Sequence, residues 1–316
     1  MRATIVFVTG RQDPQLDWVV SDLLAQMRSD DEFQLVAIDT FARTPHDLGI
    51  EQHVGRFTDV IVSPPKPNIW QGRHRVTKVD WWANSNARNT GMVFCKNDFI
   101  VFLDDRCHLG PQWMEAVRRA ERKRSFVLAG SYEKHENGEI VHDHRRQKHP
   151  DGKRDCGGGW LFGCAFALPL QWCLDVNGME EGCDGLSFED CIFGHMLANC
   201  GHRIDFDPRM FVSQERSRTH TNKFMRSDKG ISPKDKSHAA LERFGKAKRT
   251  EITPDLTALR AAIARGEPFP IPDPNVDYLD WFDGTSIKDF TDGFVGDTTS
   301  FSAALAASTA SASKNR

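Results

Sequence analysis

The chain has 316 residues, 39% of them hydrophobic, and 41 Lys/Arg against 44 Asp/Glu give a net charge of −3. That length suits one large domain with an appendage, or two domains, with ample chain for a core. No stretch approaches the ~18 apolar residues of a membrane helix, and the eight cysteines, none in a CxxC pair, fit reduced buried thiols better than a disulfide framework or a zinc site.

Residues 4–9 (TIVFVT) read as a first strand and not as a signal peptide, so the expected location is the cytoplasm. Apolar residues then recur at helical spacing from Leu16 to Met27, and Phe33 to Ile38 form a second strand ending in Asp39. Strand, helix and strand joined by short links open a nucleotide-binding α/β unit. Asp39 stands where such units place a carboxylate for a ribose or base. No GxGxxG follows the first strand, so a nicotinamide or flavin fingerprint is absent.

A short strand at 60–62 precedes the stiff Pro64-Pro65-Lys66-Pro67 loop. A helix over 84–94 carries Arg88 and Asn89 and has small residues along one side. Phe99 to Leu103 is an unbroken apolar strand that ends in two acids, Asp104 and Asp105. In open α/β sheets the ligand lies beyond such strand ends. Adjacent acids repel, and a divalent cation holding phosphates reconciles them.

Further elements are a helix over 111–123, a strand over 126–129, and a polar excursion over the cleft from Tyr132 to Asp155. The turn Gly157-Gly158-Gly159-Trp160 leads into a buried strand at 165–168. Glu189 and Asp190 open a helix that stops at Cys200-Gly201, and Arg203 to Phe206 form the last strand. Beyond it, residues 216–249 hold eleven Lys/Arg against three Asp/Glu, and 273–297 hold seven Asp and one Lys. Such segregation marks a surface for an anionic partner, or a basic face folded against an acidic loop. Arg118, Arg119, Arg122, Lys123 and Arg124, with Arg145, Arg146, Lys148, Lys153 and Arg154, are expected to extend a basic rim round the cleft. The expected division is a core domain over 1–215, a basic extension packed on it over 216–290, and a disordered tail over 291–316.

Several marks fall in one order: TIVFVT, Asp39, ARNTG at 87–91, IVFLDD at 100–105, LFGCAFALP at 161–169 and FEDCIFGHMLANCGHRI at 188–204. This combination resembles the family-2 glycosyltransferases of the GT-A fold over roughly residues 3–212. The resemblance implies an α/β, Rossmann-like fold with a mostly parallel central sheet flanked by helices, followed here by a helical or irregular C-terminal extension. It implies a nucleotide-diphosphate sugar donor, UDP-glucose by default, and a divalent metal, Mn2+ or Mg2+. Carried over by position, Asp39, Arg88, Asn89 and Asp104 would line the donor site and Asp105 would bind the metal. Asp190 would be the catalytic base, and Glu189 would orient hydroxyl groups. Where the family's Asp-x-Asp has its second acid, this chain has Arg106. His220 occupies the place of a further metal ligand.

One acid at a helix start, opposite a metal-binding pair, suits a single displacement with inversion. Gly159 and Trp160 are expected to wall the acceptor side, since glycine admits a close backbone and tryptophan offers a flat apolar face. The acceptor is a hydroxyl group on a saccharide or glycoconjugate or, from the charge pattern, on a phosphate-bearing polymer such as hydroxymethylated DNA of the phage type. A sugar-nucleotide pyrophosphorylase would need a Gly- and Arg-bearing loop after the first strand, and VTGRQDP lacks one. A non-catalytic sugar-nucleotide or nucleic-acid binding module would not need Asp104, Asp105 and Asp190 together.

Overall fold

The computed structural model describes residues 1–77, 82–136, 138–184, 189–216 and 252–273. Its centre is a nine-stranded sheet. The strands are β1 (Arg2–Thr9), β2 (Glu32–Asp39), β3 (Asp59–Ser63), β4 (Phe99–Asp104), β5 (Cys107–Leu109), β6 (Val127–Glu136), β7 (Glu139–His142), β8 (Ala165–Pro169) and β9 (Ile204–Arg216). They lie in the order β3-β2-β1-β4-β8-β6-β9-β5, with β7 beside β6. The β3-β2-β1-β4 half is parallel throughout, and β6 pairs β9 in parallel. Strand β8 runs antiparallel between β4 and β6, while β5 and β7 run antiparallel to β9 and β6. The sheet is therefore mostly parallel, as expected from the sequence.

Strands β1, β2 and β4 are buried along nearly their whole length. Helices cover both faces, which is why these strands read as continuous apolar runs and not as alternating ones. The helices are α1 (Leu16–Gln26), α2 (Asn84–Phe94), α3 (Trp113–Lys123), α4 (His144–Lys148), α5 (Leu170–Asp175), α6 (Glu189–Asn199) and α7 (Leu256–Ala264). Helices α1 and α3 pack on one face, against Ile5, Phe7, Val101 and Leu103. Helices α2, α5, α6 and α7 pack on the other, against Val6, Val8, Ile100 and Phe102.

Strands β6 and β9 run further than their apolar cores suggest. They stay paired to Glu136 and Arg216, across an irregularity between Ala129 and Ser131. From Tyr132 on β6 is only half-buried, so polar residues replace the apolar run while the backbone ladder continues. The expected excursion over 132–155 contains the β6–β7 hairpin and the short α4.

Helix α2 is held at both ends by groups remote in sequence. At its start, Asp184 accepts from the backbone N–H groups of Ser85 (2.6 Å) and Asn86 (3.0 Å). At its end, Arg260 on α7 donates to the carbonyl oxygens of Met92, Val93 and Cys95. Cations suit a helix C-terminus, where carbonyls lack partners. The basic stretch over 217–251 and the expected tail lie outside the described residues. Cys95, Cys107, Cys156, Cys164, Cys173, Cys191 and Cys200 are free thiols.

Candidate active site

The parallel strands deliver their carboxyl ends to one edge of the sheet, where β1 ends at Thr9 and β4 at Asp104. Period-two alternation carries on past the end of β4. Phe102 packs with α2 and α6, and Asp104 follows it to that side, meeting Arg88 of α2. Leu103 packs with α1 and α3, and Asp105 turns away from Arg88 towards Thr9 and Arg11.

Arg88 is the hub on the first side. Its side chain is 1% exposed. It donates to Asp104 Oδ1 at 2.7 Å and to Glu189 Oε1 at 3.0 Å. Three carboxylates, those of Asp104, Glu189 and Asp190, hold the guanidinium firmly protonated against the cost of burial. Asn84, one turn earlier on α2, donates to the same Glu189 oxygen at 2.5 Å.

Asp190 sits in the first turn of α6. Its Oδ2 accepts from the backbone N–H of Gly163 at 2.7 Å, and its Oδ1 from the N–H of Cys191 at 2.7 Å. Burial, then the neighbouring Glu189 charge, push its carboxyl up to about 6, against the pull of Arg88 and the two N–H groups. Glycine at 163 is a steric need, since a Cβ there would lie 2.2 Å from Arg88 Nη2. Sequence reading placed Gly163 in a strand entry and missed both roles. Its only signal was a glycine inside an apolar run.

Asp105 is 5% exposed. It accepts from Thr9 Oγ1 at 2.8 Å and pairs with Arg11 Nε at 2.7 Å. Burial outweighs those partners and pushes its carboxyl up to about 6. Asp104 and Asp105 therefore meet different partners, Arg88 for the first and Thr9 and Arg11 for the second. Among the described residues no group of three His, Cys, Asp or Glu side chains could hold a metal ion. Asp104, 26% exposed, is the acid of the pair on the Arg88–Glu189 side. Arg106 points to Asp13 (2.6 Å) and Glu215 (3.4 Å). His220 lies outside the described residues.

Two expected donor-site residues, Asp39 and Asn89, are fully buried and hydrogen-bonded within the protein. Asp39 is fully buried and is held bidentate by Arg43, at 2.7 and 2.9 Å. It fixes the turn after β2. Asn89 is also fully buried, and its amide exchanges hydrogen bonds of 2.8 Å with the backbone of Met179 and donates to Glu181. It pins the loop before α6, because one step along a helix turns a side chain by about 100° from its neighbour Arg88. A cavity of about 370 Å³ opens beside the turn after β2, with Thr40, Asn68 and Gln71 in its wall.

On the other flank, Gly158 is buried and lies so close to α6 that a Cβ would meet the backbone of His195 at 2.3 Å. Close approach at this turn is thus to a helix. Gly159 is exposed beside His195. The ring of Trp160 is half-buried among His149, Lys153 and Phe206.

No protein-family model and no curated protein matches the chain. Solved structures do. TarS of S. aureus superposes with a TM-score of 0.51 at 15% identity, over 69% of this chain and 37% of that one. Residues 1–349 of TarS in complex with UDP-GlcNAc give 0.52 at 14% identity, over 69% and 59%. The fold is that of the GT-A glycosyltransferases. GalNAc-T7 with UDP, GalNAc and Mn2+ agrees, with a TM-score of 0.50 at 13% identity over 88% of this chain and 59% of that one. The chain spans between 37% and 59% of the length of these GT-A structures. At that identity the likeness fixes the fold, and the chemistry rests on the site.

Proposed function

We propose that this GT-A chain is a glycosyltransferase that moves a sugar from a nucleotide-diphosphate donor to a hydroxyl acceptor, with inversion and with Asp190 as the base. The observation that carries this reading is the joining of Asp190, Glu189 and Asp104 through Arg88 and Gly163 at the carboxyl end of β4.

Asp190 has its two oxygens held by N–H groups and its carboxyl near 6. At neutral pH it is ionised, yet still basic enough to accept a proton from an acceptor hydroxyl. Glu189, fixed by Asn84 and Arg88, orients a sugar or acceptor hydroxyl beside it. Arg88 touches neither reactant, because it is buried, and acts by holding the two acids in place. A base on a helix start facing a bound donor gives one in-line displacement.

The donor reading is a UDP-sugar, supported by the UDP ligands of the TarS and GalNAc-T7 structures. The cavity beside Thr40, Asn68 and Gln71, next to the turn that the Asp39–Arg43 pair fixes, is read as the seat of its nucleoside. The Mn2+ with GalNAc-T7 supports a divalent cation here, with Asp104 as the described ligand and His220 a further candidate. Such a cation would stabilise charge on the departing diphosphate. The acceptor is read as a hydroxyl on a phosphate-bearing polymer, hydroxymethylated DNA among them, or on a saccharide.

Thermal-shift titration with UDP-glucose, UDP-GlcNAc, UDP-GalNAc, GDP- and dTDP-sugars tests the donor. A donor-specific gain in Tm that survives Asp190→Asn, while transfer is lost, is the expected result. No gain with any sugar nucleotide would refute the transferase reading.

A further inference from the structure

Among the described residues, two of the cations expected in the basic rim are withdrawn from the surface. Arg118 is buried on Asp31 and Arg145 on Asp143, so neither adds charge to the surface. Four other members of the two stretches converge instead. Arg119 and Lys123 from the end of α3, with Lys153 and Arg154 from the loop after α4, are joined by Arg203 at the entry to β9. Together they line a cavity of about 290 Å³.

Two of these cations are fixed and three are not committed to an acid. Arg119 pairs with Asp207 at 2.9 Å and Arg203 with Asp205 at 2.9 Å. Both guanidiniums lie over the ring of Phe126, at 5.5 and 5.6 Å. Lys123, Lys153 and Arg154 have no ion-pair partner among the described residues. Asp151 and Asp205 are the acids in the wall, so cations outnumber them. Like charges held together in a concave site repel unless an anion joins them.

The cavity is tied to the candidate active site. Lys153 pairs with Phe206 through the backbone, and its Nζ lies 4.7 Å from the centre of the Trp160 ring. Phe206 also lines the cavity, with its ring 5.4 Å from that of Trp160. The turn bearing Trp160 lies on α6, the helix that begins with Glu189 and Asp190. In the sheet, β9 is three strands from β4, about 14 Å across the strands at ~4.8 Å each. Phe206 lies level with Phe102, so the cavity also lies back along the strands from Asp104, and a polymer reaching both must span both separations.

We infer that this cavity binds a phosphate of a phosphodiester polymer whose hydroxyl enters the active site past Trp160. The inference rests on the transferase reading for the second half of that statement only. Guanidinium forks and ammonium groups around a small polar cavity suit a phosphate oxyanion. A polymer that repeats its phosphate every few ångströms can fill the cavity while a neighbouring unit reaches Asp190. The contacts go to the backbone, so they select for charge spacing and not for base sequence.

The test uses the full chain. Fluorescence anisotropy measures binding of a labelled single-stranded DNA, of the same strand with methylphosphonate linkages, and of a polyglycerol phosphate. The expected result is binding of at least one phosphodiester polymer, weakening with salt, and lost for the uncharged strand. Lys123→Glu with Arg154→Glu, both exposed positions, should weaken it at least tenfold without changing the Tm gain from a UDP-sugar. Tighter binding of DNA or of the polyol chain identifies the source. Equal binding by the double variant, or no binding of either polymer, overturns the inference. Absence of a donor-induced Tm gain in the unaltered chain would instead strike the transferase reading and leave the anion result standing.

Discussion

Gly163 joins Asp190 to Arg88 without a side chain of its own: its N–H donates to the Asp190 carboxylate at 2.7 Å, while the missing Cβ leaves room for the guanidinium. Asp190, Arg88 and Asp104, the proposed base, positioning cation and donor-side acid, are thereby packed into one unit. Gly163→Ala should force Arg88 off Asp104, since the Nη2 atom bonded to Asp104 is the one a Cβ would strike. The expected outcome is at least a tenfold fall in kcat, with about 1–3 kcal/mol lost in stability as for an overpacked core. Steady-state kinetics beside urea unfolding reads both, and an unchanged kcat would break the proposed link.

The pH profile follows from Asp190. Its carboxyl is raised to about 6, and the proposed base works only when ionised. Activity should rise with pH through about 6, level off above 7, and fall about tenfold per unit below 5. Asp190 and Glu189 influence one another, so the limb belongs to the pair. A rate flat from pH 4.5 to 8 would exclude a carboxylate base.

Arg88→Met removes the cation that opposes protonation of Asp190. The ascending limb should move to higher pH, while a merely structural loss would lower the plateau and leave the limb in place. Charge deleted from a buried pair costs roughly 3–5 kcal/mol, so Arg88→Lys serves as the folded control and should restore the limb.

The two adjacent acids should respond differently to substitution. Asp104→Asn is expected to abolish any gain in donor affinity caused by Mn2+ over a chelator. Asp105→Asn should leave that gain intact and lower stability instead, because it releases Arg11 and Thr9. Isothermal titration of UDP with and without chelator separates the two. The reverse pattern would restore Asp105 as the ligand.

Much of this was legible in the residues. Helix α2 spans the expected 84–94, because its small residues and flanking turns give a clear period. The strand ending in Asp104 is equally plain, since five buried apolar residues have few alternatives. The divergence of Asp104 and Asp105 follows from strand periodicity, which the charge doublet by itself does not display. Asn89 and Asp39 look like ligands by type. Only the fold shows that a loop 90 residues on, and Arg43 close by, consume their polar atoms. The antiparallel entry of β8 between β4 and β6 left no mark in the sequence, because a strand covered on both faces reads alike in either direction.

The hold of Arg260 on the closing carbonyls of α2 has a consequence for biosynthesis. The helix that carries Arg88 is clasped at one end by a residue more than 160 positions downstream. A ribosome-bound chain can pair β1, β2 and β4 early, but it cannot lock that helix until the segment around 260 has emerged. The clasp on α2, and with it the final setting of Arg88, should therefore come after sheet assembly, once α7 has been made.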